Sequence, residues 1–159
     1  MAKARQKPSV TRRLGSRGTA DLSIRYVETS ALLAALLEGD EAARKSMRAK
    51  GRRVTSALTV AEGTRAILRA RVTARLSPEQ ARAAMGGLRR FERRCFVVAL
   101  TDSVLTRVGQ PFPVEPIRTL DAIHLATVGL LGEPPDIVTV ITRDHRVRDN
   151  AAALGYAVE

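Results

Sequence analysis

Short apolar segments alternate along the chain with longer segments of helix-forming residues. Residues 24–27 form a β-prone run, and continuous Ala and Leu residues follow from 31 to 37. Residues 137–142 are rich in β-branched side chains and apolar on both faces, which is typical of a covered parallel strand. Further strands are predicted at residues 54–55, 95–100 and 156–158. This alternation indicates an α/β fold with a mostly parallel sheet of about four to five strands flanked by helices.

Boundary signals place the helices between these strands. Ser77-Pro78-Glu79 combines a Ser cap, Pro at the first helical position and an acid near the positive helix end. Thr119 predicts the start of a helix, and Gly155 predicts the end of the last one. The predicted helices cover residues 30–37, 41–50, 56–72, 77–93, 102–108, 120–131 and 146–154. We see no internal repeat and no second domain in this pattern.

Composition narrows the possible functions. The chain has 159 residues, of which 45% are hydrophobic, so it contains enough apolar material for one packed domain. Aromatic residues make up only 3%, which argues against recognition of nucleic acid by base stacking. The single cysteine, Cys95, excludes an intramolecular disulfide, suits a cytoplasmic location, and is expected to be buried. The longest apolar run, residues 31–37, is far below the roughly 18 residues that cross a membrane, so no membrane partner is expected.

The net charge of +11 is unevenly distributed. Residues 1–23 are rich in Lys and Arg and lack apolar periodicity, so we predict a basic flexible arm there and one domain over residues 24–159. The arm is either a solvated extension, including an over-long start or a transit peptide, or a segment that tracks a polyanion. Bases also cluster at residues 44–53 and 65–94, where they form either a solvated face or a surface for phosphate backbones.

Four acidic residues occupy positions where the ligand crevice of a parallel α/β sheet forms. Glu28 directly follows a predicted strand and Asp144 comes two residues after another, at the end where such crevices lie. Asp121 lies in the first turn of a helix and Glu62 on another helix. Each acid alone has an ordinary explanation as a turn residue, a helix-dipole partner or a solvated side chain. Several carboxylates in one crevice repel one another unless a hard cation such as Mg²⁺ or Mn²⁺ neutralises them.

Four sequence blocks in order resemble the PIN domain, and more narrowly the VapC toxins of bacterial toxin-antitoxin pairs. The blocks are YVETSALLAALL at 26–37, TSALTVAEGTRAI at 55–67, IRTLDAIHLATVGLL at 117–131 and VITRDHRVRDNAAALGYAV at 140–158. The resemblance implies a three-layer fold and a metal site formed by four catalytic acids: Glu28, Glu62, Asp121 and Asp144. It implies that Ser30 orients the first acid, and that Thr142 and Asn150 flank the site. It assigns no role to His124 or His145.

The same resemblance implies an activity and its partners. We expect a Mg²⁺- or Mn²⁺-dependent endoribonuclease that hydrolyses phosphodiester bonds of structured RNA such as tRNA or rRNA with an activated water. A cognate antitoxin that occludes the acidic crevice and a homodimer are also implied.

The chain departs from the family pattern at its first acid, where Asp is usual and Glu28 stands here. The added methylene displaces the carboxylate by about 1 Å, and a misplacement of that size can cost about 100-fold in rate. The alternative is therefore a catalytically attenuated PIN-like module that binds RNA or protein. A receiver-like or phosphotransfer domain is a third interpretation, but the sequence offers no phosphate-cradling Gly loop for it.

Overall fold

The computed structural model describes residues 23–159 and contains a five-stranded sheet. The strands are β1 (Ile24–Val27), β2 (Arg52–Ser56), β3 (Phe96–Val98), β4 (Val138–Ile141) and β5 (Ala157–Val158). Their spatial order is β3-β2-β1-β4-β5, and every neighbouring pair is parallel. The predicted α/β class and the four to five mostly parallel strands are confirmed.

Seven α-helices connect and cover these strands in the described part of the chain. They are α1 (Thr29–Leu33), α2 (Glu41–Arg48), α3 (Ala57–Val72), α4 (Pro78–Glu92), α5 (Asp102–Val108), α6 (Thr119–Gly129) and α7 (His145–Ala153). A wider π-helical segment, Ala34–Glu38, continues α1, and a 3₁₀ turn, Pro135–Ile137, precedes β4. The helix predicted over residues 30–37 is thus one continuous helical rod that widens in its second half.

Helices pack on both faces of the sheet and make a three-layer structure. Successive residues of a strand point to opposite faces, so Tyr26 enters one core and Val27 the other. The Tyr26 core contains residues of α5, α6 and α7 together with Leu58 at the start of α3, whereas the Val27 core contains residues of α1, α3 and α4. Both faces of β1 are buried, which explains why the strand has no polar alternation except Arg25.

Most boundary signals act as predicted, but those for the starts of α6 and β3 do not. Ser77 forms a reciprocal capping box with Gln80, and Gly155 ends α7 with φ of 90°, which glycine adopts at little cost. Thr119 is not a cap, because α6 already includes it and Arg118 precedes the helix without a side-chain capping bond. Cys95 precedes β3 and is only half-buried, although burial still raises the pKa of its thiol to about 11.

The parallel order brings the carboxyl ends of β1 and β4 side by side. The Glu28 amide donates to the Ile141 carbonyl at 3.0 Å, so the residues after both strands begin from one edge of the sheet. The predicted basic arm lies outside the described residues except for Ser23. Within the described range, no helix has the length and apolar content that a membrane span requires.

Candidate metal and active site

Glu28 is the most firmly held acid of the site. It follows β1 and precedes α1, where only 5% of its surface is exposed. Its Oε2 atom accepts three hydrogen bonds: from the Ser30 amide at 3.0 Å, from the Ser30 hydroxyl, and from the Thr142 hydroxyl at 2.8 Å. No described residue donates to Oε1. One oxygen of Glu28 therefore fixes the carboxylate, and the other remains available to a ligand.

The two hydroxyl groups that hold Glu28 also tie β4 to α1. The Ser30 hydroxyl oxygen accepts the Arg143 amide at 2.8 Å, and the Thr142 hydroxyl oxygen accepts the Asp144 amide at 3.0 Å. Each hydroxyl thus donates to Glu28 while it accepts from the loop after β4. This explains why small hydroxyl residues occupy both positions, as the resemblance implied for Ser30.

Glu62 reaches the same place from the first half of α3. Its Oε2 atom accepts the Thr29 hydroxyl at 2.5 Å and lies 3.1 Å from Nε2 of His124. Partial burial raises the pKa of Glu62, but the hydrogen bonds from His124 and Thr29 outweigh that effect and leave the pKa below its usual value. Glu62 is therefore an ionised carboxylate whose Oε1 receives no donor from the described residues.

Asp121 lies in the first turn of α6 and is the least satisfied acid. Its Oδ2 atom is buried and has no hydrogen-bond partner in the described structure. Burial raises the pKa of Asp121, and the nearby charges of Asp144 and Glu28 raise it further. Buried polar atoms are nearly always paired in folded proteins, so this oxygen marks a place where a ligand is expected.

Asp144 has two roles at once. It is the N-cap of α7, where its Oδ1 atom accepts the amides of Arg146 at 2.8 Å and Val147 at 3.4 Å. The ordinary explanation of a capping acid is therefore correct for Oδ1. The other oxygen receives no donor within residues 23–159, and the charge of Asp144 acts on Asp121.

The four predicted acids therefore face one edge of the sheet, each with an oxygen not engaged by protein donors. The tightest group differs from the predicted set: ligand atoms of Glu28, Glu62 and His124 lie within 4.8 Å of one another. Asp121 interacts electrostatically with Glu28 of this group and with Asp144. His124 is the residue that sequence reasoning undervalued, although its position three residues after Asp121 places it on the same helix face. His145 is exposed.

Asn150 has a structural role. Its side chain is fully buried, accepts the Val114 amide at 2.9 Å, and donates to the Val114 carbonyl at 2.9 Å. It also donates to the Arg146 carbonyl within α7 at 3.1 Å. Asn150 thus pairs with the backbone of the loop before α6 as a neighbouring strand would, and it contacts none of the four acids.

An open groove leads away from the acids between α1 and α3. Its volume is about 640 Å³, and Thr29 and Glu62 line the end next to the carboxylates. Farther along, the floor is apolar, with Leu33, Leu37 and Ala66, and three arginines line the groove: Arg65, Arg69 and Arg75. We call this feature the α1–α3 groove. The groove therefore leads from the negatively charged acids to positively charged arginines.

Known proteins resemble this chain in sequence and in fold. The PIN domain family model matches residues 25–153. Ribonuclease VapC46 of Mycobacterium tuberculosis is 39% identical over 135 residues, which cover 84% of this chain and 94% of that protein. Among solved structures, VapBC2 from Rickettsia felis bound to a promoter DNA fragment aligns with a TM-score of 0.61 at 11% identity, covering 86% of this chain and 97% of that one. VapBC-5 of the VapBC family of toxin-antitoxin systems from Mycobacterium tuberculosis aligns with a TM-score of 0.52 at 20% identity, covering 86% and 96%.

Proposed function

This chain belongs to the PIN domain family, and we propose that it is a divalent-metal-dependent endoribonuclease that acts as the toxin of a toxin-antitoxin pair. The observation that carries the proposal is the convergence of four carboxylates at one sheet edge, among them an Asp121 oxygen that is buried without a partner. The relationship to Ribonuclease VapC46 supports RNA as the substrate.

The donor set fits Mg²⁺ or Mn²⁺. Hard cations prefer carboxylate oxygens and retain several waters, and the unengaged oxygens of Glu28, Glu62, Asp121 and Asp144 offer such ligands. The unpaired Asp121 oxygen and the raised pKa of that carboxyl are the expected state of a site built around a positive charge. We propose these four acids as the residues that hold the ion.

The chemistry that a divalent ion would supply there is charge neutralisation at the phosphate and activation of a water. The protein's own contribution is orientation. Ser30 and Thr142 fix the Glu28 carboxylate, and the α7 N-terminus fixes Asp144, so little reorganisation is needed when substrate arrives. Hydrolysis by an activated water needs no protein nucleophile.

The α1–α3 groove is the proposed path of the RNA backbone. Arg65 and Arg69 are exposed, and neither guanidinium forms an ion pair or a hydrogen bond with any described residue. They are one helical turn apart, about 6 Å along the axis of α3, on the face that begins at Glu62. Such a row of unpaired guanidinium groups favours successive phosphates and offsets the repulsion that the acids exert on a polyanion.

Neutralising both arginines as Arg65→Gln with Arg69→Gln should raise the KM for RNA about tenfold and leave kcat nearly unchanged. The slope of log affinity against log salt should become shallower by about 1.4, because two phosphate contacts to a single strand are lost. Binding is measured by fluorescence anisotropy over a salt series.

The matched control for this pair is Arg71→Gln with Arg82→Gln. Those two arginines line a separate groove between α3 and α4, so their loss removes the same charge from another surface. An equal change in both double variants would show that net charge, and not the α1–α3 groove, governs RNA binding.

A cognate antitoxin is the proposed protein partner, with the acidic edge of the sheet as the surface that it covers. Its support is the relationship to a VapC ribonuclease and the fold shared with VapBC-5, a member of a toxin-antitoxin family. A homodimer, a tRNA or rRNA target and a cytoplasmic location remain predictions from the sequence.

The experiment that tests the function is cleavage of total cellular RNA by purified, antitoxin-free protein. We expect discrete products with Mg²⁺ or Mn²⁺ and none with a chelator or with Asp144→Asn. Because Asp144 also caps α7, circular dichroism of the variant should confirm that the helix content is kept. Cleavage that persists in chelator, or RNA binding without cleavage in either metal, would contradict the proposal.

A further inference from the structure

His124 is a buried histidine that joins the carboxylate site to the core. Only 1% of its surface is exposed, and it lies on α6 between β1 and α3. Its Nδ1 atom is 2.9 Å from the Tyr26 hydroxyl, and its Nε2 atom is 3.1 Å from both Glu62 Oε2 and Thr29 Oγ1. Each ring nitrogen therefore has hydrogen-bond partners, and the nature of these partners decides where the ring hydrogen resides.

The oxygens around Nε2 present lone pairs and no hydrogen. Glu62 Oε2 already accepts the Thr29 hydroxyl, so this carboxylate oxygen presents a lone pair to the ring. The Thr29 hydroxyl has a single hydrogen, which it donates to Glu62 Oε2 at 2.5 Å, so toward His124 it too can only accept. Glu28 Oε1, at 3.7 Å, is another acceptor on the same side. A bare nitrogen lone pair facing these oxygens would be repelled, so Nε2 carries a hydrogen and donates.

The partner of Nδ1 completes this assignment. A neutral imidazole with its hydrogen on Nε2 accepts at Nδ1, and the Tyr26 hydroxyl is the group within hydrogen-bonding distance there. Tyr26 is fully buried, and the Nδ1 lone pair is an acceptor for its hydroxyl hydrogen at 2.9 Å. The Tyr26 hydroxyl donates to His124, and His124 donates to Glu62 and Thr29.

We infer that His124 is a positioning residue, which presents Nε2–H to the Glu62 carboxylate and is not a ligand of the cation. An Nε2 atom that carries a hydrogen has no lone pair for a metal ion, although it lies within the cluster of Glu28 and Glu62. Its N–H dipole also places positive charge between those two carboxylates. The ion ligands are then all oxygens. This role rests on the proposed metal site, but the tautomer itself does not.

The tautomer is read directly by ¹⁵N NMR of the full chain with labelled histidine. The chain has two histidines, and exposed His145 serves as the internal reference for a ring that exchanges freely. We expect His124 to show hydrogen on Nε2 without metal and to keep it after Mg²⁺ is added. Hydrogen on Nδ1 in the metal-free protein, or loss of the Nε2 hydrogen when Mg²⁺ binds, would overturn the inference. Neither signal depends on RNA cleavage.

Manganese affinity separates positioning from ligation. In Mn²⁺ titrations followed by EPR, His124→Gln keeps an N–H donor of similar reach and should weaken binding by no more than about tenfold. Tyr26→Phe removes only the phenolic donor and should weaken binding about tenfold, which is the usual cost of losing an outer hydrogen bond of a metal site. Tyr26→Phe preserves the core volume and remains informative even if a larger change at position 124 unfolds the protein.

Pulsed EPR of the Mn²⁺-loaded wild type provides the decisive spectrum. We expect no nitrogen coupling of the size that a directly bound imidazole gives. Such a coupling from His124 would make the histidine a ligand and overturn the inference. An unchanged affinity in Tyr26→Phe would show that the phenol does not hold the ring, which also contradicts it. A failure of RNA cleavage with these spectra as expected would affect only the proposed function.

Discussion

Replacing Asp121 by Asn should abolish metal-dependent RNA cleavage and raise the melting temperature of the metal-free protein at neutral pH. The first effect follows because the variant removes one of four proposed ion ligands, and we expect a loss of at least about 100-fold in kcat/KM. The second follows because Asp121 is partly buried near two like charges, and Asn has the same shape without the charge. Cleavage assays and thermal unfolding in chelator measure the two effects.

The gain in stability should depend on pH in a defined direction. The pKa of Asp121 is raised in the folded protein, so the folded state binds that proton more tightly than the unfolded chain does. Ionisation of Asp121 therefore lowers the stability of the fold as pH rises from the pKa of this carboxyl in the unfolded chain to its pKa in the folded protein. The loss of stability is complete above the folded-state pKa. We expect Asp121→Asn to unfold at a higher temperature than the wild type at pH 7.5 and to lose that advantage below about pH 4, where the wild-type aspartate is protonated in both states.

Asp102→Asn is the matched control for this prediction. Asp102 lies in the first turn of α5, as Asp121 does in α6, but it is exposed. Its replacement removes a favourable interaction with the helix dipole and should lower stability by roughly 0.3 to 1 kcal/mol without affecting cleavage. A loss of cleavage in both variants, or wild-type cleavage in Asp121→Asn, would remove Asp121 from the active site.

The sequence predicts the two acids that follow strands because hydropathy shows where those strands end. The apolar run before Glu28 stops at that acid, the run before Asp144 stops at Ile141, and parallel strands place such ends at one edge. The sequence does not fix the directions in which the acids on helices point, because α3 and α6 can rotate about their axes without any change in the sequence pattern. The resemblance to a family, and not periodicity, selected Glu62 and Asp121 from the other helical acids.

Two features of the site are invisible in the sequence. The residues of α6 from Ala122 to Val128 are all buried, so hydropathy gives that helix no distinct face and no reason to direct His124 toward Glu62. The role of Asn150 depends on the loop that contains Val114, 36 positions away, which no local signal connects to it. Hydrogen-bond networks of buried side chains depend on rotamers and packing, which local propensity does not encode.

The geometry around Glu28 bears on the alternative that this chain is a catalytically attenuated module. The Glu28 carboxylate has all three donors on Oε2 at the length of a glutamate side chain, while Oε1 faces Glu62 and His124. All three bonds meet one oxygen of the glutamate-length side chain, and Oε1 receives no donor from the described residues, as is expected of a ligand oxygen. The structure therefore favours a working ligand at this position over a relic of a lost one.

We accordingly expect Glu28→Asp to lower cleavage and not to raise it. The shorter side chain withdraws the carboxylate by about 1 Å, so it cannot keep its bonds to Ser30 and Thr142 and also present an oxygen beside Glu62. A displacement of this size should reduce kcat by about 100-fold, and Mn²⁺ affinity should fall with it. Single-turnover cleavage and Mn²⁺ titration of the variant provide both values.

Glu92→Asp, an equal shortening of an exposed acid at the end of α4, should leave both values unchanged. A strong rise in cleavage by Glu28→Asp would show that the natural protein is attenuated, and the chain would then be better described as a PIN domain that binds RNA or protein. A fall in cleavage that Glu92→Asp does not share would identify glutamate as the functional ligand at the end of β1. The site of this chain would then depend on the length of glutamate, to which the Ser30 and Thr142 hydroxyl groups are fitted.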